Sequence, residues 1–201
     1  VYELCEQCQI NPNRVDISEP AEGCTDTDIG YYLELDNYAT SDEDNHYISM
    51  DYENATVTDI NGETRQFVPA EYSIKNDLYS QNQIDFIDKY LNNLFKIVYE
   101  ACENGKYYKF DENYDLVDSD VTTAEEAVSN VMDIDSVRDM YILYEIVHDY
   151  DCGEGSFYMC VDLSKDSKCP KLKFTSPWDF NWAYNDSTEK YYAGAFTDKN
   201  F

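Results

Sequence analysis

The chain has 201 residues, enough for one sizeable core or two modest lobes. Its 42 acidic and 14 basic side chains give a formal net charge of -28. Such a surface repels phosphate backbones and anionic lipid, which argues against nucleic-acid binding, and no apolar run approaches the roughly 18 residues of a membrane span. Hydrophobic residues make up 43 % and include 20 tyrosines, so the chain is expected to fold.

The first third of the chain reads as strands. Residues 1–10 alternate in polarity before a turn at Pro12, and residues 30–36 give a second, stronger strand signal. Residues 47–57 and 66–74 predict further strands, with Asn61-Gly62 as a hairpin turn between them.

Helical periodicity begins after Asn76. Ser80 and Gln83 have the spacing of a capping box, and the following apolar residues recur at helical spacing until Asn104-Gly105 ends the helix. Thr123 is predicted to cap a brief second helix. Asp135 is predicted to cap a third helix, whose buried stripe consists of Val137, Met140, Tyr141, Tyr144 and Val147.

Strands return near the carboxyl end. Residues 156–163 and 171–175 are predicted to be the two arms of a hairpin that turns near Asp166, and Pro177-Trp178-Asp179-Phe180 follows. The order of strands, helices and a final hairpin indicates an α+β fold with two lobes.

Seven cysteines are spread too thinly for a disulfide-stapled domain. Cys5-x-x-Cys8 lacks the second pair that a zinc site would need. Cys160 and Cys169 flank the predicted turn, and a disulfide between them is one open alternative. Because the number is odd, at least one thiol has no disulfide partner within the chain.

Two aspartates are candidates for chemistry. Asp151 lies where a predicted helix gives way to a strand, and the hairpin should return the chain to Asp179 nearby. Protein kinases place a base in Asp-x-x-x-x-Asn and a metal ligand in Asp-Phe-Gly; the counterparts here are Asp151-x-x-x-x-Ser156 and Asp179-Phe180-Asn181. In so acidic a chain the spacing alone is also compatible with a structural role, in which Asp151 and Asp179 only cap helices and turns.

Several segments resemble the CotH (spore-coat protein H) kinase-like family, and they span nearly the whole chain in the family's order. The segments are residues 1–7, the strand Gly30-Tyr31-Tyr32-Leu33-Glu34-Leu35-Asp36, the lysine-bearing Tyr72-Ser73-Ile74-Lys75, and the signature pair Ser156-Phe157-Tyr158-Met159 and Pro177-Trp178-Asp179-Phe180.

The resemblance implies an atypical, secreted protein-kinase-like fold with two lobes, truncated at both ends. Residues 1–75 would be part of a strand-rich N-lobe, and residues 76–201 a helical C-lobe that carries the catalytic hairpin. It implies ATP and Mg²⁺ or another divalent cation as cofactors. Asp151 would be the catalytic base, Asp179 and Ser156 the metal ligands, and Lys75, Glu34 and Asp36 the nucleotide-binding residues.

The chain also departs from the family pattern. Asn181 replaces the usual second aspartate, and Ser156 stands where many members carry asparagine. In the family, the phosphate-covering element and its lysine precede the position of Val1, and the C-lobe continues past that of Phe201. We therefore expect a fragment that transfers no phosphate by itself and whose signal peptide is not in the chain.

Three functions follow from these patterns. The first is a bacterial extracellular or cell-surface kinase acting on Ser or Thr of a protein substrate that is basic or rich in Ser and Thr. The second is a non-catalytic adhesion or scaffolding module that kept the fold and lost turnover, which Ser156, Asn181 and the missing lysine favour. A cellulosome-type dockerin and cohesin assembly is its expected setting, because the acidic, tyrosine-rich style resembles members from cellulosome-bearing gut and rumen clostridia. The third is a calcium- or carbohydrate-associated structural domain.

Overall fold

The computed structural model describes residues 7–36, 38–41, 47–50, 55–58, 62–66, 70–149, 151–153 and 155–183. The helices are α1 (Gln81–Glu103), α2 (Ala124–Val131) and α3 (Ile134–Val147). The strands are β1 (Gly30–Asp36), β2 (Tyr47–Met50), β3 (Thr56–Thr58), β4 (Thr64–Gln66), β5 (Ala70–Ile74), β6 (Tyr108–Phe110), β7 (Leu116–Asp118), β8 (Gly155–Asp162) and β9 (Lys173–Thr175). The predicted α+β class is confirmed.

One five-stranded antiparallel sheet organises these elements, in the order β2-β5-β1-β8-β9. Strand β1 is central and pairs with β5 on one side and with β8 on the other. Two separate hairpins, β3-β4 and β6-β7, complete the described strands. The predicted amino-terminal strand lies largely outside the described residues, and 7–9 are irregular before Ile10 bridges to Val15.

Helix α1 follows the predicted pattern closely. Ser80 accepts a hydrogen bond from the Gln83 amide, and the Gln83 side chain reaches back to the Ser80 amide, which confirms the capping box. The buried face of the helix includes Ile87, Leu91 and Leu94. Gly105 adopts a left-handed φ of 61° just after the helix, a conformation that glycine tolerates without steric cost.

Helices α2 and α3 require two corrections. Thr123 caps α2 as predicted, but the cap of α3 is Asp133, whose carboxylate accepts a hydrogen bond from the Ser136 amide; the prediction of Asp135 was wrong. Met140 and Tyr144 lie on the buried face of α3, whereas Tyr141 is 42 % exposed. The buried stripe of α3 is therefore narrower than its sequence predicts.

The main core lies between the helices and one face of the sheet. Alternate residues of the central strands, among them Leu33, Phe157 and Met159, point into it and are almost fully buried. A smaller apolar cluster lies on the other face around Tyr32, Tyr158 and Cys160. Within the described residues, no helix has the length and apolar character to cross a membrane.

The central sheet draws strands from both predicted lobes. Strand β1 belongs to the part assigned to residues 1–75, and β8 to the part assigned to residues 76–201, yet the two are hydrogen-bonded neighbours over most of their length. The kinase-like two-lobed division stays a prediction.

Candidate functional site

The face of the sheet opposite the helices holds an ion pair at its centre. The Lys75 Nζ atom lies 2.8 Å from Glu34 Oε2, and the Glu34 side chain is only 12 % exposed. Lys75 reaches this position because its backbone amide continues the pairing of β5 by donating to the Tyr32 carbonyl. Lys75 is therefore engaged with a largely buried carboxylate, whereas a lysine at a strand end is usually just solvated.

Tyr158 completes this group from the neighbouring strand. It lies opposite Glu34 in the β1-β8 register, so the two side chains lie on the same face of the sheet. Burial raises the pKa of Tyr158 well above its ordinary value, and the neighbouring Glu34 carboxylate acts in the same direction. Tyr158 thus remains neutral at physiological pH beside the Lys75–Glu34 ion pair.

Asp36 lies at the end of β1 and serves the local structure. Its Oδ2 atom accepts a hydrogen bond from Ser73 Oγ at 2.6 Å, and its Oδ1 atom accepts one from the Tyr38 amide at 2.9 Å. Both carboxylate oxygens already have a protein donor. Its predicted role at the nucleotide stays a prediction.

The structure brings Ser156 and Asp179 together. The hairpin returns the chain so that Ser156 Oγ lies 3.3 Å from Asp179 Oδ2. Ser156 occupies a register shift at the start of β8, where Asp36 faces Gly155 and Leu35 faces Phe157. This irregularity places Ser156 beside the end of β1 that carries Asp36.

The backbone around this contact has left-handed conformations at residues other than glycine. The φ angles are 55° at Ser156, 50° at Ser176 and 57° at Asp179, a conformation that is sterically costly for residues with a Cβ atom. The Ser176 Oγ atom accepts a hydrogen bond from the Tyr32 hydroxyl at 2.9 Å, which fixes the segment leading to Asp179. Such outliers persist where the surrounding contacts impose them, and they concentrate at functional sites.

Aromatic side chains hold the turn that carries Asp179. Trp178 packs against the smaller apolar cluster, and the Phe180 ring lies 5.5 Å from the Tyr144 ring of α3. Asp179 itself remains exposed between these two anchors. Sequence reasoning noted the flanking aromatics but missed Tyr158, Tyr32 and Ser176, whose contacts depend on pairing between distant strands.

Asp151 opens a single 3-10 turn directly before β8. Its side chain lies outside the described part of the structure, so the predicted approach of Asp151 to Asp179 stays a prediction. Just before it, His148 ends α3 with a left-handed φ of 56°, and its amide donates to the carbonyl oxygens of Tyr144 and Glu145. His148 is therefore the residue that ends α3.

The oxygen atoms of Asp179 and Ser156 suit a hard divalent cation such as Mg²⁺, which takes carboxylate and hydroxyl ligands and completes its shell with phosphate oxygens and water. Within the described ranges, no group of three or more His, Cys, Asp or Glu side chains is arranged to hold a metal ion. Asp179 and Ser156 together offer two such oxygen atoms.

Comparisons of the chain with protein-family models, with curated proteins and with solved structures find no match.

Proposed function

We propose that this chain carries the catalytic hairpin of a secreted, CotH-like atypical protein kinase, which transfers the γ-phosphate of ATP to Ser or Thr of extracellular proteins. The observation that carries the proposal is the contact between Ser156 and Asp179 at 3.3 Å, on a backbone with left-handed conformations at both residues. The Lys75–Glu34 ion pair on the same sheet gives it further support.

In this mechanism, Asp179 and Ser156 hold Mg²⁺, which when bound neutralises charge on the phosphate oxygens. Lys75, held by Glu34, adds a positive charge towards the nucleotide and is distinct from the phosphate-facing lysine that the family places before the position of Val1. Asp151 accepts the proton of the attacking hydroxyl group. The net charge of -28 makes a metal-free site hostile to ATP, so cation and nucleotide should bind together.

Nucleotide binding is tested by thermal unfolding of the 201-residue chain with ATP, Mg²⁺ or both. A ligand that binds only the native state must raise Tm. At a ligand concentration of 100 times Kd it adds about 2.7 kcal/mol to the free energy of unfolding. We expect a rise with both together, and none with ATP plus a chelator. Asp179→Ala should abolish the rise, whereas Asp166→Ala, an exposed aspartate on the same hairpin, should retain it. If Tm of Asp179→Ala rose as much as that of the wild type, Asp179 would not be a metal ligand.

A second candidate is a non-catalytic binding module on the same fold. It is favoured by the fact that the polar groups already satisfy one another, since Glu34 pairs with Lys75 and Asp179 accepts from Ser156. The two candidates are distinguished by incubating the full-length gene product with radiolabelled ATP and a basic, Ser/Thr-rich protein, and measuring the label transferred to that protein. A kinase predicts transfer that Asp151→Asn lowers about a hundredfold while nucleotide binding persists. Binding without any transfer favours the module.

A further inference from the structure

Two cysteines lie side by side at the closed end of the β8-β9 hairpin. The Cys160 Sγ atom is 3.9 Å from that of Cys169. Cys160 is buried in β8, where its neighbours in the ladder are Tyr32 and Lys173. Cys169 is half-buried in the connecting loop, and its carbonyl accepts a hydrogen bond from the Asp162 amide at 2.8 Å. This backbone hydrogen bond joins the loop to β8 beside the two thiols.

The two thiols differ in accessibility and in acidity. Cys169 lines a cavity of about 390 Å³, together with Pro170, Lys171 and Lys173. The hydrogen bond from the Cys160 thiol lowers the pKa of Cys169; burial opposes this, and Lys173 acts in the same direction as the hydrogen bond. The same hydrogen bond and burial raise the pKa of Cys160. Since the thiolate is the nucleophile, Cys169 is the attacking residue and Cys160 the resolving one.

We propose that Cys160 and Cys169 are a redox-active dithiol that accepts oxidising equivalents from a small-molecule disulfide of the glutathione class entering this cavity. The Cys169 thiolate attacks one sulfur of the donor and releases one donor thiolate, which leaves a mixed disulfide on Cys169. Cys160 then loses its proton and attacks the Cys169 sulfur, and the second donor thiol departs. The pair is oxidised by two electrons, and one donor disulfide is reduced to two thiols.

The cavity suits an anionic donor of this class. Lys168, Lys171 and Lys173 all line it, in a chain with only 14 basic residues among 201. The Lys168 charge is paired with Asp16, and Lys171 donates to the Ser129 carbonyl and keeps its positive charge. Asp133 and Asp135 also line it, so the attraction is confined to the lysine side beside Cys169. A disulfide requires the sulfurs to approach to about 2.05 Å. Because the ladder holds the backbone of Cys160 and the Asp162 amide holds that of Cys169, the approach falls to rotation of the two side chains.

A third cysteine makes the pairing testable. Cys8 packs against the same small apolar cluster as Cys160 and Cys169, which makes it the rival partner to test. Cys102 is exposed at the end of α1, and partial burial together with the Glu103 charge raises its pKa, so it reports the reactivity of an unactivated thiol. Serine variants at these two positions serve as matched controls.

The experiment treats the reduced 201-residue chain with oxidised glutathione, blocks the remaining thiols, and maps disulfides by non-reducing peptide mass spectrometry. We expect a Cys160–Cys169 crosslink that also forms in Cys8→Ser and Cys102→Ser. In Cys160→Ser, a glutathione adduct should persist on Cys169. In Cys169→Ser, adduct formation at Cys160 should be at least about tenfold slower than adduct formation at Cys169 in Cys160→Ser, because Cys160 is buried.

Oxidation should also raise Tm by about 4–8 °C, since the crosslink restricts the unfolded chain. A crosslink from Cys8 to either residue, no crosslink at all, or a faster reaction at Cys102 than at Cys169 would each overturn the proposal. Disulfide mapping of the wild-type chain needs no substitution, so a variant that fails to fold does not affect that result. None of these readouts depends on phosphate transfer.

Discussion

Asp162 ends β8 with a buried carboxylate that accepts three hydrogen bonds. Its Oδ2 atom accepts from the Ser18 amide at 2.9 Å, and its Oδ1 atom accepts from Ser18 Oγ and from the Ser164 amide. Burial by itself would raise the pKa of Asp162, but the hydrogen bonds from Ser164 and Ser18 outweigh it, and the pKa lies below its ordinary value. A single carboxylate thus fastens the amino-terminal segment to the sheet.

Replacing this carboxylate should give a pH-dependent loss of stability. We expect Asp162→Asn to cost about 2 kcal/mol at pH 7, because the amide group offers only one oxygen and turns a donor towards Ser18. Because the native pKa is depressed, the stabilisation is present above the unfolded pKa of about 3.9 and disappears as pH falls through the native pKa. The difference in Tm from wild type should therefore shrink below about pH 4. Asp166→Asn, exposed on the same hairpin, is the control; an undiminished difference at pH 3 would contradict the assignment.

At the scale of elements, the start of α1 does more than its capping box indicates. The Gln83 side chain is fully buried, and its Nε2 atom donates to the carbonyl oxygens of Cys24 at 3.0 Å and Asp26 at 2.8 Å. Its Oε1 atom meanwhile accepts from the amides of Tyr79 and Ser80. One side chain therefore joins the helix to the loop that precedes β1.

Two substitutions separate these roles of Gln83. Ser80→Ala removes only the cap acceptor and should cost about 1 kcal/mol. Gln83→Glu keeps an acceptor for the amides but replaces both donor contacts with a charge facing two carbonyl groups, and it should cost about 2–4 kcal/mol. Urea unfolding of both variants gives the comparison. Equal losses in the two variants would mean that the bonds to Cys24 and Asp26 contribute nothing.

At the scale of the whole molecule, the shared sheet predicts a single cooperative unit. Strand β1 and helix α1 fall on opposite sides of the predicted lobe boundary, yet both contribute to the same core. Leu33→Ala, at a fully buried position of β1, should cost about 2–5 kcal/mol and lower one common transition, whether followed by helical circular dichroism or by tryptophan fluorescence.

The control for this prediction is Val117→Ala, at a 37 % exposed position of the β6-β7 hairpin, which should leave the transition nearly unchanged. Both signals come from residues 76–201, so a transition that did not respond to Leu33→Ala would show that the two parts are independent lobes. That outcome would favour the division at residues 75 and 76 over a single unit.

The sequence by itself determined the features that depend on neighbouring residues. The caps of α1 and α2 form between residues three apart, and the β8-β9 hairpin joins arms that are close along the chain. The contact between Ser156 and Asp179 could also be predicted from the sequence, because a hairpin brings its two ends together.

Only the tertiary structure decided the features that join distant segments. Asp133 caps α3 in place of Asp135 because Met132 bridges to Leu172 and the Asp133 amide donates to the Leu172 carbonyl, which keeps the chain extended until Ile134. The two aspartates are only two residues apart and are both good capping residues, so the bridge selects between them. The order of strands in the sheet also depends on distant segments, because alternation shows that a strand has two faces but not which strand lies beside it. The Lys75–Glu34 pair and the hydroxyl of Tyr158 beside it exist because β1 lies between β5 and β8, a choice made by the packing of the whole core.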